Sequence, residues 1–273
     1  MYLADSTYRG RSPIVPGELN FTLLPVTTYE QRFTAPEVYK LWPQAYLHSQ
    51  WPGTGHRGDP AFDAFYAGNT ESLPLPSLDQ QISIQLAGAA LLDRIGKKTI
   101  IIAHSQSSIF APLIVDKRPN LVRAVITTEP AGPPFIDNFS GPNWVPSKKY
   151  GITDAPLEYE PKIVDPDVDF VKKKIPAPAV NMTSECILQA DSPPPRKLVN
   201  YSKVPVLLIT GEASFHVPYD WCYVAFLRQA GVRTDFMELE KIGIHGNGHF
   251  MHLEKNSDDI AAAIQGWIQK LAP

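Results

Sequence analysis

The chain has 273 residues, 44% hydrophobic and 19% charged, a balance that supports a sizeable core and fits one α/β domain carrying an insertion. Its formal net charge is −3 and it contains no basic block, so nothing marks nucleic acid as a partner. No run of about 18 apolar residues occurs, so no membrane span is expected. The two cysteines, Cys186 and Cys222, lack metal-ligand spacing and are expected as free thiols rather than as a disulfide. The 27 prolines fall mostly outside periodic segments and imply long, stiffened loops. Four Asn-x-Ser/Thr sequons, at Asn20, Asn138, Asn181 and Asn200, would mark surface loops of a secreted protein. The opening MYLADSTYRG, by contrast, lacks the basic start and apolar run of about 7–15 residues that make a signal peptide.

In chain order, Tyr2-Leu3-Ala4 reads as a short buried strand closed by a turn at Arg9–Ser12. An irregular region follows to about Pro76, with a short helix-like stretch near Pro36–Tyr46 and the loop Gln50–Pro60. Leu78–Ile95 is helical in period, with Ile82, Leu86, Ala90 and Asp93 on one line and Ile84, Leu91 and Leu92 beside it, until Gly96 stops it. Thr99–Ala103 lacks polar alternation, as a strand covered on both faces does. A helix over Ser107–Val115 and a strand over Val122–Thr128 complete a β-α-β unit. Regular structure resumes with a strand at Val204–Thr210, a helix near Pro218–Ala230 and a half-exposed strand at Thr234–Glu240. It ends in a helix at Ser257–Leu271 with Ile260, Ala263, Ile264, Trp267 and Leu271 on one face. The domain reading is a core of residues 1–136 and 203–273 with a proline-rich cap or lid at 137–202. Cap aromatics Phe135, Trp144, Tyr150, Tyr159 and Phe170 either line an acyl or aryl pocket or pack on one another; the sequence leaves both open.

Chemistry concentrates at Ala103-His104-Ser105-Gln106-Ser107, a small-x-Ser-x-small pattern between a buried strand and a helix. A sharp strand-to-helix turn lifts a serine hydroxyl above the sheet edge, and small flanking residues avoid clashes within it. The free N–H groups of the helix start then face developing negative charge, with the Gln106 N–H as the natural oxyanion donor. The bland alternative for Ser105 is a helix-capping serine. A base is expected in the loop Gly243–Phe250, where His249 follows a Gly-Asn-Gly turn that would let the loop approach the nucleophile closely. His245 and His252 are expected as structural or surface residues.

LADSTYRGRS, AHSQSS, VPVLLITGE and GNGHF, in that order, resemble the α/β-hydrolase superfamily of serine esterases and lipases. The resemblance implies a mostly parallel sheet flanked by helices and an acyl-enzyme mechanism on a small-molecule ester, with no metal or organic cofactor. It departs at the acid: Ser214 stands where most members carry an aspartate after the VPVLLITG-type strand. Glu129 instead ends the strand Val122–Thr128, and a carboxylate directly after an apolar run is costly without a partner. A subgroup of secreted-type esterases carries a glutamate at this place, as in EPAGPPF here. The resemblance therefore implies Ser105 as nucleophile, His249 as base and Glu129 as acid, with Glu212 and Asp220 in reserve. The family's usual first strands and its HGG-type oxyanion loop are not found in the sequence, Gly53-Thr54-Gly55 being the only glycine-rich candidate for that loop and lying downstream, in the wrong place. An N-terminally shortened core is expected on that ground, and a catalytically impaired or non-catalytic binding protein is the alternative to an esterase.

Overall fold

A computed structural model describes residues 1–12, 23–71, 78–137, 145–179 and 185–271. By its internal packing the chain divides into two compact units, one of Met1–Thr22, Glu71–Ile209 and Pro218–Phe236, the other of Leu23–Thr70, Thr210–Val217 and Met237–Pro273.

The first unit is built on a four-stranded sheet in the order β1 (Thr99–His104), β2 (Val122–Thr128), β3 (Val206–Thr210), β4 (Thr234–Glu238). β1 runs parallel to β2, from Thr99↔Val122 to His104↔Thr128, and β2 runs parallel to β3, ending at Thr128↔Ile209. β2 and β3 are the central strands, and their unbroken apolar runs are buried on both faces, with Val125, Ile126, Leu208 and Ile209 all at 0% exposure. β1 is the edge strand, and here the expectation of two covered faces fails: Ile102 is 60% exposed. Helix α1 (Leu78–Ile95) packs on α2 (Phe110–Lys117), and Gly88 permits it, since a Cβ there would lie 2.5 Å from Ile114 Cδ1.

The bounds of α1 match the sequence reading, but its inward face does not. Gln81, Gln85, Ala89 and Leu92 are buried, while Ile82 and Leu86 are exposed. The reason is local. Gln81 Oε1 accepts the N–H groups of Asp154 (2.9 Å) and Ala155 (3.0 Å), and its Nε2 donates to Asp154 Oδ2 (3.0 Å). A buried loop backbone needs such partners, and a glutamine supplies them where an isoleucine cannot. Tyr2-Leu3-Ala4 forms no strand; Tyr2 and Leu3 are exposed, and Arg11 folds back on the segment, its N–H and Nε donating to the Asp5 carboxylate and its Nη2 to the Leu3 carbonyl.

The described residues between 137 and 202 belong to the first unit and include short antiparallel ribbons such as Lys172–Ile175 with Cys186–Gln189. Their aromatic side chains pack on one another: Phe170 meets Phe135 edge-on at 5.2 Å and Tyr159 at 5.3 Å, and the Tyr159 hydroxyl donates to the Tyr150 carbonyl. Trp144 lies outside the described residues. Arg196 pins the region by donating to Asp169 Oδ1 and to the carbonyls of Pro161, Lys162 and Asp169. Cys186 and Cys222 are disulfide-bonded, which corrects the expectation of free thiols; the ribbon sets Cys186 against α3 (Asp220–Gln229), a proximity invisible across 36 positions of sequence. Asn200 turns inward, its Nδ2 donating to the Asp116 carbonyl (3.1 Å) and to Glu158 Oε2 (2.8 Å), so this sequon is not a free surface acceptor. Asn20, Asn138 and Asn181 lie outside the described residues.

The second unit opens with helical turns over Val26–Tyr29 and Glu30–Thr34, and two further short turns, Pro36–Tyr39 and Ala45–Leu47, stand in place of a single stretch over 36–46. The loop Gln50–Pro60 closes on itself. Thr34 Oγ1 donates to the Gly55 carbonyl, and Asp59 caps the helix Pro60–Ala67 through the N–H groups of Ala61 and Phe62. Gly53 and Gly55 serve that closure: both have positive φ, and a Cβ would meet the Asp59 carboxylate at 2.4 Å or the Thr34 carbonyl oxygen at 2.1 Å. Helix α4 (Ser257–Gln269) buries Ile260 and Trp267, with Ala263 and Ile264 half-buried between them, as its period requires.

Cross-linking across 36 positions stabilises by about 3–4 kcal/mol in the chain-entropy account. Cys186→Ser is expected to lower Tm by roughly 10 °C in thermal unfolding. A reductant should lower the Tm of the parent protein alike and leave that of the variant unchanged.

Candidate active site

Ser105 is the first residue beyond β1 and begins a tight 3₁₀ turn, Ser105–Ile109, ahead of α2. Its φ is +52°, a left-handed conformation that costs an L-residue about 1–2 kcal/mol and persists only where neighbours enforce it. The neighbours are the two following serines. Ser107 Oγ accepts from the His104 N–H (2.8 Å) and donates to the His104 carbonyl (2.7 Å). Ser108 Oγ donates to the Ser105 carbonyl (2.5 Å) and accepts the Ala131 N–H (2.9 Å). The small residues of the sequence motif thus tie the turn back to the strand it leaves. Ser105 and Gln106 are half-buried, with Gln106 in the second position of the turn.

Glu129 occupies the equivalent place on the next strand. Because His104 is paired with Thr128, Ser105 and Glu129 each leave the sheet one residue beyond the same rung, on strands about 4.8 Å apart. Glu129 also has positive φ, +47°, is fully buried, and donates its backbone N–H to the Ile209 carbonyl at 3.0 Å. The bond between Ala131 and Ser108 joins the two turns.

His249 belongs to the second unit and is 2% exposed. Its ring lies among aromatic rings: Phe33 stacks at 5.3 Å, Phe215 tilts at 4.9 Å, and His216 lies parallel at 4.8 Å with an interplanar angle of 2°. His216, equally buried, was not singled out in the sequence. A signal for it exists in the sequence, since it lies two residues past Ser214, the position where most of the superfamily carries its acid. The loop bearing His249 is fixed through its backbone. Gly246 donates to Glu212 Oε2 (2.8 Å), the Asn247 carbonyl accepts the Ala213 N–H (2.8 Å), and Gly248 donates to Glu254 Oε1 (2.9 Å). Gly246 has φ +78° and passes so close to Ser49 that a Cβ would lie 2.1 Å from its Oγ.

Of the reserve acids, Glu212 braces this loop, its other oxygen bonded to Nδ1 of the exposed His245 at 3.1 Å. Asp220 is buried at the start of α3. His245 and His252 are exposed, as surface residues are.

No protein-family model matches the chain. Over 273 residues it is 43% identical to a probable secreted lipase, phiG, of Fungal sp. (strain ATCC 74256), covering 99% of this chain and 72% of that protein. Among solved structures it is similar to a novel bacterial esterase, at 15% identity and a TM-score of 0.45, over 78% of this chain and 50% of the other. It is also similar to the monoacylglycerol lipase of Paleococcus ferrophilus, at 15% identity and a TM-score of 0.39, over 74% of this chain and 83% of the other. The chain thus spans about half the length of the bacterial esterase.

Gly246→Ala is expected to cost about 1–2 kcal/mol in urea unfolding, because Ala must adopt a left-handed backbone against Ser49. Gly266→Ala, in the interior of α4 with open space around it, should instead stabilise by about 0.5–1 kcal/mol.

Proposed function

The chain belongs to the α/β-hydrolase superfamily of serine esterases and lipases, and from that premise we propose that it hydrolyses carboxylic esters with Ser105 as nucleophile, His249 as base and Glu129 as acid. One observation carries the assignment: Ser105 sits in a left-handed turn at a strand-to-helix junction, on the same rung as a fully buried glutamate. The strained backbone favours a nucleophile over the bland reading, because a helix-capping serine has ordinary extended φ and needs no such turn.

In the proposed reaction His249 takes the proton from Ser105 Oγ as Oγ bonds to the ester carbonyl carbon. The carbonyl oxygen becomes an oxyanion, with the Gln106 N–H assigned as a donor to it. The alcohol leaves with the proton held by His249, and an acyl-Ser105 remains. Water, deprotonated by the same histidine, attacks the acyl carbon, and the carboxylic acid leaves as Ser105 regains its proton. Glu129 holds the imidazole tautomer and steadies its positive charge through the cycle. His216, stacked parallel on His249, is assigned to keep that ring from rotating.

The curated relative is described as secreted, and the disulfide Cys186–Cys222 is of the kind that persists in oxidising compartments. We therefore assign the protein to such a compartment. The packing of Phe170 on Phe135 and Tyr159, and of Phe135 on Phe226 of α3, supports a region joined to the core rather than a pocket lined by those rings.

Ser105→Ala is expected to abolish both hydrolysis of p-nitrophenyl esters and covalent labelling by a fluorophosphonate. Undiminished labelling of that variant would remove Ser105 from the role. A purified parent protein that binds ester yet never labels would instead be the non-catalytic binding protein. Glu129→Gln is expected to lower kcat by about 10⁴-fold, and Glu212→Gln to act mainly on stability; the reverse order would move the acid to Glu212. His249→Ala should lose turnover altogether, whereas His216→Ala should retain a measurable part of it.

A further inference from the structure

Beneath the His249 loop lies a buried ionic chain that the proposed reaction does not use. His48 is enclosed, its side chain 1% exposed, with Nδ1 at 2.8 Å from Glu37 Oε2 and Nε2 at 2.9 Å from Glu254 Oε1. Only an imidazolium donates from both ring nitrogens, so the ring bonds both carboxylates at once only when it carries a positive charge. Glu254, whose side chain is 0% exposed, accepts from His48, from the Gly248 N–H and, through its second oxygen, from Asn247 Nδ2 at 2.7 Å. Asn247, fully buried, also exchanges hydrogen bonds with the side chain of Asn256.

Gly248 fits this arrangement closely. A Cβ there would lie 3.0 Å from His48 Cδ2, 3.1 Å from His48 Nε2 and 3.2 Å from Glu254 Oε1. The bare glycine lets the ion pair press on the peptide directly before His249. The neighbouring backbone is laced in the same direction, with Ser49 donating to the Gly246 carbonyl and Lys255 to the Gln50 carbonyl.

We propose that His48 is a positioning residue for His249: as an imidazolium between Glu37 and Glu254 it locks Glu254 onto Gly248 and Asn247 and so fixes the loop that presents His249. The inference rests on His249 being the base.

The charged groups acting on His48 are Glu37, from the turn Pro36–Tyr39, and Glu254, from the segment before α4; the loop itself presents Asn247 and the Gly248 backbone. Burial alone would lower the affinity of His48 for its proton, but the hydrogen bonds and charges of Glu254 and Glu37 outweigh it and raise the pKa from 6.5 to about 9. The folded-state value lies above the unfolded one. The stability that the charged ring contributes is therefore fully present below about pH 6.5 and is lost as pH rises through about 9. Turnover should accordingly have an alkaline limb near pH 9, where the ring becomes neutral and can donate from only one nitrogen.

Three variants test the lock, with kcat, KM and amide hydrogen exchange at Gly248 as readouts. His48→Gln should lower kcat about ten- to a hundredfold with KM little changed, the size of effect a small misplacement of a catalytic group produces, and should release the Gly248 amide to exchange. Glu37→Gln, at a side chain 34% exposed, should keep kcat at pH 7 and move the alkaline limb about one pH unit toward acid. A His48→Gln variant with full kcat and a merely lower Tm overturns the proposal. Should His48→Gln fail to fold, Glu37→Gln decides: an unmoved alkaline limb overturns it. His249→Ala separates the two readings. Retained turnover there ends the assignment of the base, while protection of the Gly248 amide in the parent and its loss in His48→Gln would still report the lock.

Discussion

The geometry of the first unit depends on the pairing of His104 with Thr128 at the top of the parallel ladder. Both strands stop at that rung, and both chains turn out of the sheet through a left-handed residue, Ser105 at φ +52° and Glu129 at φ +47°. Each such residue carries a cost of about 1–2 kcal/mol, so the two turns hold only because other bonds over-determine them. Ser107 stitches the first turn to its own strand, the Glu129 N–H anchors the second to Ile209, and Ser108 bonds to both. A one-residue slip of β1 against β2 would place Ser105 and Glu129 on different rungs and sever the Ser108–Ala131 link. Register, set by the buried apolar runs of β2 and β3, is therefore a precondition of the site.

The second unit holds its histidine by two means that act on different parts of the residue. Rings fix the imidazole, through Phe33, Phe215 and His216. Hydrogen bonds to Glu212 and Glu254 fix the peptides before it. The division follows from the groups available. An imidazole face offers nothing to a carboxylate but packs well on rings, while peptide N–H groups in a buried loop need acceptors. The glycines at 246 and 248 let those acceptors and their supports come close.

Segments governed by period were the legible ones. Leu78–Ile95 and Val122–Thr128 match their elements end to end, and the face of α4 follows its apolar spacing. The Ser105 turn was legible as well, because small residues between an apolar strand and a helix form a local pattern. What sequence could not give was tertiary in origin. The buried stripe of α1 is largely glutamine because a distant loop needs its backbone satisfied, an inversion no amphipathic count can anticipate. The disulfide joins a ribbon to a helix, and proximity of that kind has no periodic signature. Ile102 looked like a two-sided core residue because a parallel strand reads alike at the edge and at the centre. His48 carries no motif, its role arising from Glu37 and Glu254, the latter about 200 positions away.

The histidines also illustrate how environment separates tasks. His48 has both nitrogens committed to carboxylates, so its proton is held in place and its ring cannot accept another. His245 is exposed and bonded to Glu212, where water competes for the same bond. His104 sits at the start of the serine's turn, its backbone consumed by Ser107. A catalytic base needs a different setting: a buried ring whose orientation is fixed by packing and a backbone fixed by hydrogen bonds, so that binding energy is not spent on ordering it. His249 is buried among rings, and the peptide before it is bonded to Glu254, the carboxylate that His48 also holds.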